Sequence, residues 1–556
     1  MKLHRILIAV ALLLCNATSV SAAAAPQAAV ASAHPLATRA GMEILAAGGN
    51  AFDAAVAVSA ALAVVEPTGS GLGGGGFWLL HRASDGHEVM LDGRERAPLA
   101  AHRDMYLDKD GEVIPHLSVD GPLAAAIPGE PAALAHLARQ YGRLSLAQSL
   151  APAIRLARDG FPVDEHYRRA AKFRLDVLRA SPAAAAVFLH NGEVPAAGYL
   201  IKQPDLAETL TRLAKQGRDG YYAGKIAEQL VAGVRAAGGI WTKEDLDSYR
   251  VIERAPLTGE YHGLHVTSVA PPSSGGVVLL TMLNILSGYE LTKMDAATRT
   301  HLIVEAMRRA YRDRADYLGD PDFVRMPITQ LIHPLYAAGL RAGIRLDQAT
   351  PSSALPGVAA HAQGPDTTHF SIIDKEGNRV AATLSVNYPF GSGYMPPGSG
   401  VVLNDEMDDF SAKAYAPNVY GLVGGDANAI APGKRPLSSM TPTFLEDQNK
   451  VVVLGTPGGS RIITMVLLAA LDIAAGGDAA SAVGVKRFHH QFLPDVIQYE
   501  PGALTPAVVA ALRAQGHQLR ELDHTYGNMQ LVWWDKKRHR AEAASDPRGQ
   551  GLALTR

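Results

Sequence analysis

The pattern of apolar and polar residues divides the chain into two parts that meet near residue 350. In the first part, apolar residues recur at the three- and four-residue spacing typical of amphipathic helices. Helices are predicted at 36–65, with a break at Gly48-Gly49-Asn50, and at 130–158, 205–215, 224–237 and 297–318. Strands are predicted at Phe77–His81 and 258–270. The first part is therefore expected to interleave helices with strands.

The second part begins with a segment of different composition and without periodicity. Residues Pro351–Pro365 are rich in proline, alanine, serine and glycine and show no periodicity, which predicts an exposed linker. Strands are then predicted at Thr368–Asp374, Arg379–Val386 and Val451–Leu454, the first two joined by a turn at 374–378. A buried helix is predicted at Ile462–Ala475. The linker therefore ends abruptly at a strand that begins with two threonines.

The N-terminus has the three parts of a secretory signal. Lys2 and Arg5 supply positive charge, Ile6–Leu14 is apolar, and Val20-Ser21-Ala22 ends in small residues of the kind that signal peptidase cuts. Residues 1–22 are therefore predicted to be removed on export, which favours a periplasmic or secreted protein. An N-terminal membrane anchor is the alternative. The alanine-rich stretch Ala22–Ala33 is expected to be a flexible entry segment.

Composition and charge narrow the possible functions. Of the 556 residues, 47% are hydrophobic and 19% are charged, as in ordinary globular proteins. No stretch after the signal has the length of a membrane span, so none is expected in the mature protein. The formal net charge of −2 argues against a broad surface for nucleic acid. The single cysteine, Cys15, lies inside the predicted signal, so we expect no disulfide in the mature chain.

Two local patterns resemble binding motifs but stand in the wrong context. Residues Gly69–Gly74 match the dinucleotide fingerprint, which needs a strand before it and a helix after it, whereas here the predicted order is reversed. We interpret this glycine cluster as a loop where backbone segments pack closely. His489-His490 lacks the spacing of two zinc ligands on one helix face, so packing or hydrogen-bonding roles are expected. The sequence indicates no metal and no organic cofactor.

The junction between Asp366 and Thr367 carries the most informative chemistry. A threonine hydroxyl is a weak nucleophile unless a base takes its proton. If the chain breaks before Thr367, the new α-amino group can be that base, because its reference pKa of about 7.7–8.0 lies near neutral pH. The same hydroxyl could first attack the carbonyl of Asp366 and form an ester that water opens. Two threonines at the start of a strand are also common without any such role.

Residues further along the second part could complete a site around Thr367. Ser385 lies on the paired strand, where its hydroxyl could donate to that of Thr367. Gly458 and Gly459, at a strand-to-helix turn, could offer two backbone N–H groups to an oxyanion, helped by the helix N-terminus. The other polar residues that belong to this set are Asn387, Glu406, Asp409, Ser438 and Ser439.

Over nearly its whole length after the signal, the sequence resembles the γ-glutamyltranspeptidase family. In the first part, the motifs that carry the resemblance are His34–Ala37, Gly48–Ala51, Gly71–Phe77, Arg94-Glu95 and Pro271–Gly276. In the second part, they are Thr367–Ser371, Asn404–Ser411, Tyr420–Asp426, Arg435–Met440, Pro457–Arg461 and Ser545–Arg548. The strings Asp366–Ser371 and Arg435–Met440 are the most specific.

The resemblance implies an α+β fold of the Ntn-hydrolase type, in which two central sheets lie between helices in four layers, αββα. It also implies a precursor that cuts itself between Asp366 and Thr367. The products would be a large chain of residues 23–366 and a small catalytic chain of residues 367–556. Both chains would remain together as one αββα unit.

The resemblance further implies roles for individual residues. Thr367 would attack a γ-glutamyl amide and form an ester, with Ser385 steadying the nucleophile and Gly458 and Gly459 holding the oxyanion. The residues expected to bind the α-carboxylate of the γ-glutamyl group are Arg94, Ser438 and Ser439. Those expected to bind its α-ammonium are Asp409, Glu406 and Asn387. Residues Lys413–Gly425 would form a lid, with Tyr420 as its aromatic residue.

The substrates implied by the resemblance are glutathione and other γ-glutamyl amides, with water, amino acids or peptides as acceptors. Two other functions remain open at this point. A cephalosporin or glutaryl acylase uses the same scaffold, although a glutaryl group has no ammonium for Asp409 to bind. An exported binding protein that has kept the fold without catalysis is the second alternative.

Overall fold

Two large β-sheets form the centre of the protein in the computed structural model, which describes residues 27–355 and 367–556. The predicted signal and Asp366 lie outside the described residues. The strands before residue 356 are β1 (Ala29–Ser32), β2 (Gly75–Arg82), β3 (His87–Gly93), β4 (Phe161–Pro162), β5 (Leu200–Ile201), β6 (Ile252–Arg254), β7 (Leu257–Tyr261) and β8 (Leu264–Ser268). Those after residue 366 are β9 (Thr368–Ile373), β10 (Arg379–Ser385), β11 (Thr443–Glu446), β12 (Lys450–Gly455), β13 (Phe488–His489), β14 (Ile497–Tyr499), β15 (Leu519–Glu521), β16 (Gln530–Asp535), β17 (Arg540–Ser545) and β18 (Leu552–Thr555).

Helices cover both faces of this centre. Those before residue 356 are α1 (Pro35–Ala46), α2 (Ala51–Val65), α3 (Glu130–Gln140), α4 (Leu146–Asp159), α5 (Glu165–Phe173), α6 (Leu175–Ala180), α7 (Pro182–Phe188), α8 (Pro204–Gln216), α9 (Asp219–Tyr222), α10 (Gly224–Ala236), α11 (Lys243–Asp247), α12 (Gly275–Leu286), α13 (Ala296–Tyr317), α14 (Ile328–Leu331) and α15 (Pro334–Ala342). Those after residue 366 are α16 (Ile462–Ala474), α17 (Ala479–Gly484) and α18 (Pro506–Ala514). None of the helices described is long and apolar enough to cross a membrane.

Both sheets are antiparallel and combine strands from both sides of residues 356–366. The first has the order β18-β1-β9-β10-β2-β3-β6, and the second the order β17-β16-β12-β11-β8-β7. In the first sheet, β1 lies between β9 and β18, so a strand from the start of the chain is hydrogen-bonded on both edges to strands from its second part. In the second, β8 pairs with β11. The two parts of the chain therefore share both sheets.

Three apolar cores confirm the predicted αββα layers. Trp78, on the outer face of the first sheet, belongs to a core with α2. The adjacent residue Phe77 faces the opposite way and shares a core with Phe444 between the two sheets, as the two-residue period of a strand requires. Leu445, the neighbour of Phe444, then packs with α12, α13 and α16 on the outer face of the second sheet. Each sheet thus buries both faces.

Most of the predicted helices are confirmed, and local sequence explains where they break. The break at Gly48-Gly49-Asn50 separates α1 from α2: Gly48 has a φ of 94°, and Asn50 forms a capping box with Asp53. The predicted helix at 130–158 is two helices, because Ser145 starts α4 with a second capping box. The predictions at 205–215, 224–237, 297–318 and 462–475 match α8, α10, α13 and α16 to within one residue at each end.

Two expectations were wrong, and a third is met only in part. The end of Ala22–Ala33 is not a flexible entry segment, because Ala29–Ser32 forms β1 inside the first sheet. The strand predicted at 258–270 is a hairpin, since His262 and Gly263 have φ values of 45° and 83° and separate β7 from β8. Of the predicted linker, the structure describes residues 351–355: Pro351, Ser353 and Ala354 are exposed as expected, whereas Ser352 is buried and donates its hydroxyl to the carbonyl of Phe492 at 2.7 Å. The rest of the linker lies outside the described residues.

Candidate active site

Thr367 immediately precedes β9 and is almost fully buried. In the pairing of β9 with β10, Thr368 lies opposite Leu384, so the same register places Ser385 opposite Thr367. The residue predicted to steady the nucleophile is therefore its cross-strand neighbour. Ser385 Oγ accepts a hydrogen bond of 2.7 Å from the backbone N–H of Asn387, whose φ of 77° turns the chain out of the strand.

The predicted oxyanion glycines occupy the turn between β12 and α16. Gly458 has a φ of 141° and Gly459 a φ of 54°, a region of backbone conformation that favours glycine. The space around them is also filled. A β-carbon on Gly459 would lie 2.5 Å from Cδ1 of Tyr420, and one on Gly458 would lie 2.5 Å from Cε of Met465. The turn therefore requires two glycines, and it leads directly into the N-terminus of α16.

One guanidinium connects the residues predicted to bind a carboxylate with those predicted to bind an ammonium. Arg94 follows β3, is fully buried, and forms ion pairs with Glu406, at 2.5 Å, and with Asp409. Its Nη1 also lies 3.4 Å from Oε2 of Glu95. Glu406 and Asp409 belong to one short 3₁₀ turn, which brings both carboxylates to the same cation. Opposite charges therefore lie side by side, as the binding of a zwitterion requires.

Three carboxylates share this one cation. Burial opposes the charged form of Arg94, yet Glu406, Asp409 and Glu95 together raise the pKa of Arg94 above its usual value. Burial raises the pKa of Glu95 to about 7. Burial and the neighbouring carboxylates also raise the pKa of Glu406. Oε1 of Glu95 and Oε1 of Glu406 have no hydrogen-bond partner among the described residues. Glu406 lines the cavity, so its second oxygen can accept a hydrogen bond from a ligand, such as one with an ammonium group.

Ser438 and Ser439 are held from behind by the segment Pro271–Gly276. The carbonyl of Ser438 accepts hydrogen bonds from the N–H and the hydroxyl of Ser274, at 2.9 and 2.7 Å. Oγ of Ser439 accepts a hydrogen bond of 3.3 Å from Arg314, which extends from α13. Both serines are buried and line the same cavity as the predicted nucleophile.

The segment predicted as a lid lies over the site. Tyr420 is buried, its ring rests on Gly459, and its hydroxyl donates to the carbonyl of Asn387 at 2.5 Å. Asn418 donates its amide N–H to Asp409 at 3.0 Å and accepts a hydrogen bond of 3.0 Å from the N–H of Tyr420. The lid is therefore tied both to the oxyanion turn and to an acid of the charged cluster.

The structure brings most of the predicted site residues together. One cavity is lined by Arg94, Thr367, Ser385, Asn387, Glu406, Asp409, Tyr420, Ser438, Ser439 and Gly459. Gly458 borders a neighbouring cavity, which His34 and Glu66 also line. Residues distant in the sequence thus meet at the ends of interior strands of the two sheets.

Three residues around this cavity were not identified from the sequence. Glu66 accepts a hydrogen bond of 2.6 Å from the hydroxyl of Thr368, and burial raises the pKa of Glu66 to about 7. Arg314 contacts the serine pair, and Asn418 contacts the charged cluster. The sequence did contain one indication for Arg314: it is a charged residue on the buried face of a long helix.

The two misleading motifs have structural roles. A β-carbon on Gly73 would lie 1.9 Å from the carbonyl oxygen of Val402, so the glycine cluster is a place of close backbone packing, as interpreted. A helix precedes the cluster and a strand follows it. His489 and His490 are buried and form side-chain hydrogen bonds, that of His490 being with Asp495 at 3.1 Å.

One further group in the described residues has the composition of a metal site: His301, Glu305 and His517. Most of its donor atoms already have partners, the exception being Nδ1 of His517. Nδ1 of His301 lies 2.8 Å from Nε2 of His517, and Glu305 forms ion pairs with Arg308 and Arg309. Two guanidinium groups beside the carboxylate disfavour the binding of another cation.

Comparison with known proteins agrees with the sequence motifs. The family model for gamma-glutamyltranspeptidase matches residues 37–555. The chain is 45% identical to a glutathione hydrolase proenzyme of Pseudomonas sp. (strain A14), over 94% of this chain and 93% of that protein. It is 43% identical to the glutathione hydrolase proenzyme of Escherichia coli (strain K12), over 94% of this chain and 91% of that protein.

Solved structures show the same relationship. A cephalosporin acylase from Bacillus halodurans superposes with a TM-score of 0.85 at 30% identity, over 95% of this chain and 96% of that chain. The gamma-glutamyltranspeptidase of Helicobacter pylori superposes with a TM-score of 0.57 at 41% identity, over 58% of this chain and 94% of that chain. Together with the match of the family model over most of its length, these similarities show that the chain belongs to the γ-glutamyltranspeptidase family.

Proposed function

We propose that this protein hydrolyses and transfers γ-glutamyl groups from glutathione and related γ-glutamyl amides, with Thr367 as its nucleophile. The observation that carries the proposal is the pairing of Arg94 with Asp409 and Glu406 in the cavity that also holds Thr367. A γ-glutamyl group has an α-carboxylate and an α-ammonium on one carbon. A site that recognises it needs a cation and an anion in contact with each other, and this cluster supplies both.

Binding of the γ-glutamyl group can proceed as an exchange of ion pairs. The α-carboxylate takes the place of a protein carboxylate at Arg94, whose planar guanidinium can hold it with two hydrogen bonds. The α-ammonium in turn lies against Asp409 and Glu406. Ser438 and Ser439 supply neutral donors to the carboxylate. The zwitterion brings one charge of each sign, so the net charge of the site does not change, and each charged group of the ligand gains a partner of opposite sign.

In the proposed reaction, the freed α-amino group of Thr367 takes the proton of its own hydroxyl. The hydroxyl oxygen attacks the γ-carbonyl carbon, and the N–H groups of Gly458 and Gly459 hold the resulting oxyanion. When this intermediate collapses, the C–N bond breaks and the amine leaves with the proton. Water or an acceptor amine then attacks the γ-glutamyl ester, and the threonine hydroxyl regains a proton as the product departs.

The same hydroxyl would first release the amino group that serves as base. Attack on the carbonyl carbon of Asp366 moves this acyl group from the nitrogen of Thr367 to its hydroxyl oxygen: the peptide C–N bond breaks, the nitrogen takes up the proton of the hydroxyl, and an ester remains. Water then opens the ester to give residues 23–366 and residues 367–556. Register supports this step as well, since Ser385 lies opposite Thr367 in the sheet. We further propose that residues 1–22 direct export to the periplasm or the medium, on the basis of the signal pattern in the sequence.

The cephalosporin acylase from Bacillus halodurans makes an acylase activity the second candidate. The presence of Asp409 beside Arg94, and the higher identity to the proteins named glutathione hydrolase, favour the γ-glutamyl substrate. Because a glutaryl group has no ammonium, it could form no ion pair with Asp409. Hydrolysis rates of γ-glutamyl-p-nitroanilide and glutaryl-p-nitroanilide therefore separate the two activities.

The decisive experiment compares the wild type with Thr367→Ala and Thr367→Ser. Intact mass and N-terminal sequencing should show wild-type chains that begin at Thr367, whereas Thr367→Ala should remain one uncut polypeptide without amidase activity. Thr367→Ser keeps a hydroxyl and should be cut and active. Cleavage of Thr367→Ala at the normal position, or a small chain that begins elsewhere, would refute the mechanism.

A further inference from the structure

One face of helix α13 supports two parts of the site at once. Tyr311 donates its hydroxyl to the carbonyl of Ser460, in the turn that contains the oxyanion glycines. Arg314, three residues later and therefore on the same face, reaches the serine pair. Both side chains are buried. The motif Pro271–Gly276 joins the same assembly through Ser274, to whose hydroxyl Arg314 donates at 3.0 Å.

The surroundings of Arg314 are unusual for a buried cation. Its hydrogen-bond acceptors are two hydroxyl oxygens, on Ser274 and Ser439, and it forms no ion pair within residues 27–355 and 367–556. Arg309, on the same helix and also buried, pairs with Glu305 in the usual way. A buried charge without a counter-ion is costly, so its retention favours a role for which the charge is needed.

The charges nearest to Arg314 belong to the substrate site. Asp409 favours and Arg94 opposes its charged form, and burial, the largest influence, lowers the pKa of Arg314. An arginine remains charged even so, because its ordinary pKa lies above about 12. Arg94 is already surrounded by three carboxylates, whereas Arg314 is not. The positive charge that is not neutralised within the protein therefore lies behind Ser439.

We propose that Arg314 is a positioning residue for the α-carboxylate of the substrate, and that it acts through Ser439. This inference rests on the proposed γ-glutamyl specificity. Because Arg314 donates to Oγ of Ser439, the hydroxyl hydrogen of Ser439 is directed away from the guanidinium and is available to a ligand in the cavity. The charge of Arg314 also makes that hydroxyl a stronger donor. Arg314 thus selects acyl groups that carry a carboxylate.

Three p-nitroanilides separate this role from a structural one: γ-glutamyl, glutaryl, which lacks the ammonium, and 4-aminobutanoyl, which lacks the α-carboxylate. In Arg314→Met, kcat/KM should fall about tenfold or more for the first two, since a hydrogen bond to a charged group is lost. The loss should lie mainly in KM. With 4-aminobutanoyl-p-nitroanilide, kcat/KM should change about twofold at most. Equal losses with all three substrates would overturn the proposal.

Binding alone gives a second measurement. Inhibition by L-glutamate should weaken about tenfold in Arg314→Met, while inhibition by 4-aminobutanoate should be unchanged. Arg312→Met is the matched control, because Arg312 lies on the same helix and pairs with Asp313 and Asp316. It should leave both inhibition constants as they are in the wild type.

Two further variants keep the test decisive if Arg314→Met folds poorly. Arg314→Lys keeps the charge but cannot reach both hydroxyls, so it should show a smaller loss confined to ligands that carry a carboxylate. In a double variant, Arg314→Lys should add little to the loss that Ser439→Ala causes alone, since the two residues act together. Full additivity would contradict the proposal. If the wild type does not hydrolyse γ-glutamyl-p-nitroanilide, the proposed function is refuted. This result is distinct from those that would contradict the role of Arg314.

Discussion

Two buried ion clusters in this protein differ in how their charges are balanced. One contains Arg487, Glu500, Asp546 and Arg548, and the other contains Arg94, Glu95, Glu406 and Asp409. In the first, two cations meet two anions, and all four carboxylate oxygens accept hydrogen bonds. In the second, one cation meets three carboxyl groups, and two of their oxygens have no partner in the described part of the chain.

The difference teaches that burial and ion pairing do not by themselves mark a binding site. A balanced cluster is complete and holds segments of the chain together. An unbalanced cluster retains acceptor oxygens that a donor group of a ligand, such as an ammonium, can satisfy. Arg94, Glu406 and Asp409 line the cavity that holds Thr367, whereas Arg548 of the balanced cluster borders the neighbouring cavity beside Gly458. Substitutions in the balanced cluster should therefore mainly lower stability, whereas those in the unbalanced cluster should mainly lower activity.

The largest expected effect is on stability, in the balanced cluster. Asp546→Ala leaves Arg487 without its carboxylate partner in the interior, which should lower the free energy of unfolding by about 3–5 kcal/mol. Thermal unfolding of the purified protein measures it. Asp347→Ala, which removes the exposed partner of Arg345, is the control and should leave the unfolding temperature nearly unchanged. Similar shifts for the two variants would show that the buried cluster is not structural.

Asp409→Asn should have the reverse profile. Loss of one charge in the unbalanced cluster should lower kcat/KM for γ-glutamyl-p-nitroanilide about a hundredfold, which corresponds to about 2.7 kcal/mol. Unfolding should shift less than in Asp546→Ala, because Glu95 and Glu406 still face Arg94. Self-cleavage, followed on a denaturing gel, should proceed nearly as in the wild type. If cleavage and catalysis fell together, Asp409 would have a structural role instead.

The smallest effect concerns a buried carboxyl group in neither cluster. Burial raises the pKa of Glu66 from its ordinary 4.5 to about 7, so the folded protein binds this proton more tightly than the unfolded chain. The free energy of unfolding therefore falls as pH rises from about 4.5 to about 7, and stays reduced above it. Glu66→Gln removes this titration and should stabilise the protein by about 1–3 kcal/mol at pH 8, but not near pH 4.5.

Unfolding temperatures at the two pH values provide the measurement for Glu66. Glu43→Gln alters an exposed carboxylate that pairs with Arg155 and should show no such divergence. Parallel pH profiles for wild type and Glu66→Gln would mean that folding does not change the pKa of Glu66.

The sequence predicted those features whose causes are local. Asn50 and Asp53 start α2 through contacts three residues apart, so its boundary could be read directly. By contrast, Ala29–Ser32 has no periodicity of its own and is a strand because β9 and β18 pair with both of its edges. The hairpin at His262 and Gly263 was missed because both of its strands share one alternating pattern.

The contacts of the site likewise divide into those that the sequence could predict and those that it could not. Motifs that resemble a known family identified Arg94 and Asp409 from positions distant in the sequence, and the structure places them in contact. The contact of Arg314 with Ser439 could not be predicted from spacing, because it depends on how α13 packs against the second sheet. Tertiary packing of single side chains is the part that sequence patterns do not encode locally.

The sharing of both sheets between the two parts of the chain has a consequence for the processed protein. If the chain is cut before Thr367, β1 still lies between β9 and β18, and β8 still pairs with β11. Each of the three cores contains residues from both fragments, so dissociation of the fragments would expose part of every core. Renaturation would become a second-order reaction between fragments, so a protein that folded as one molecule would regain its structure only at a rate that depends on concentration.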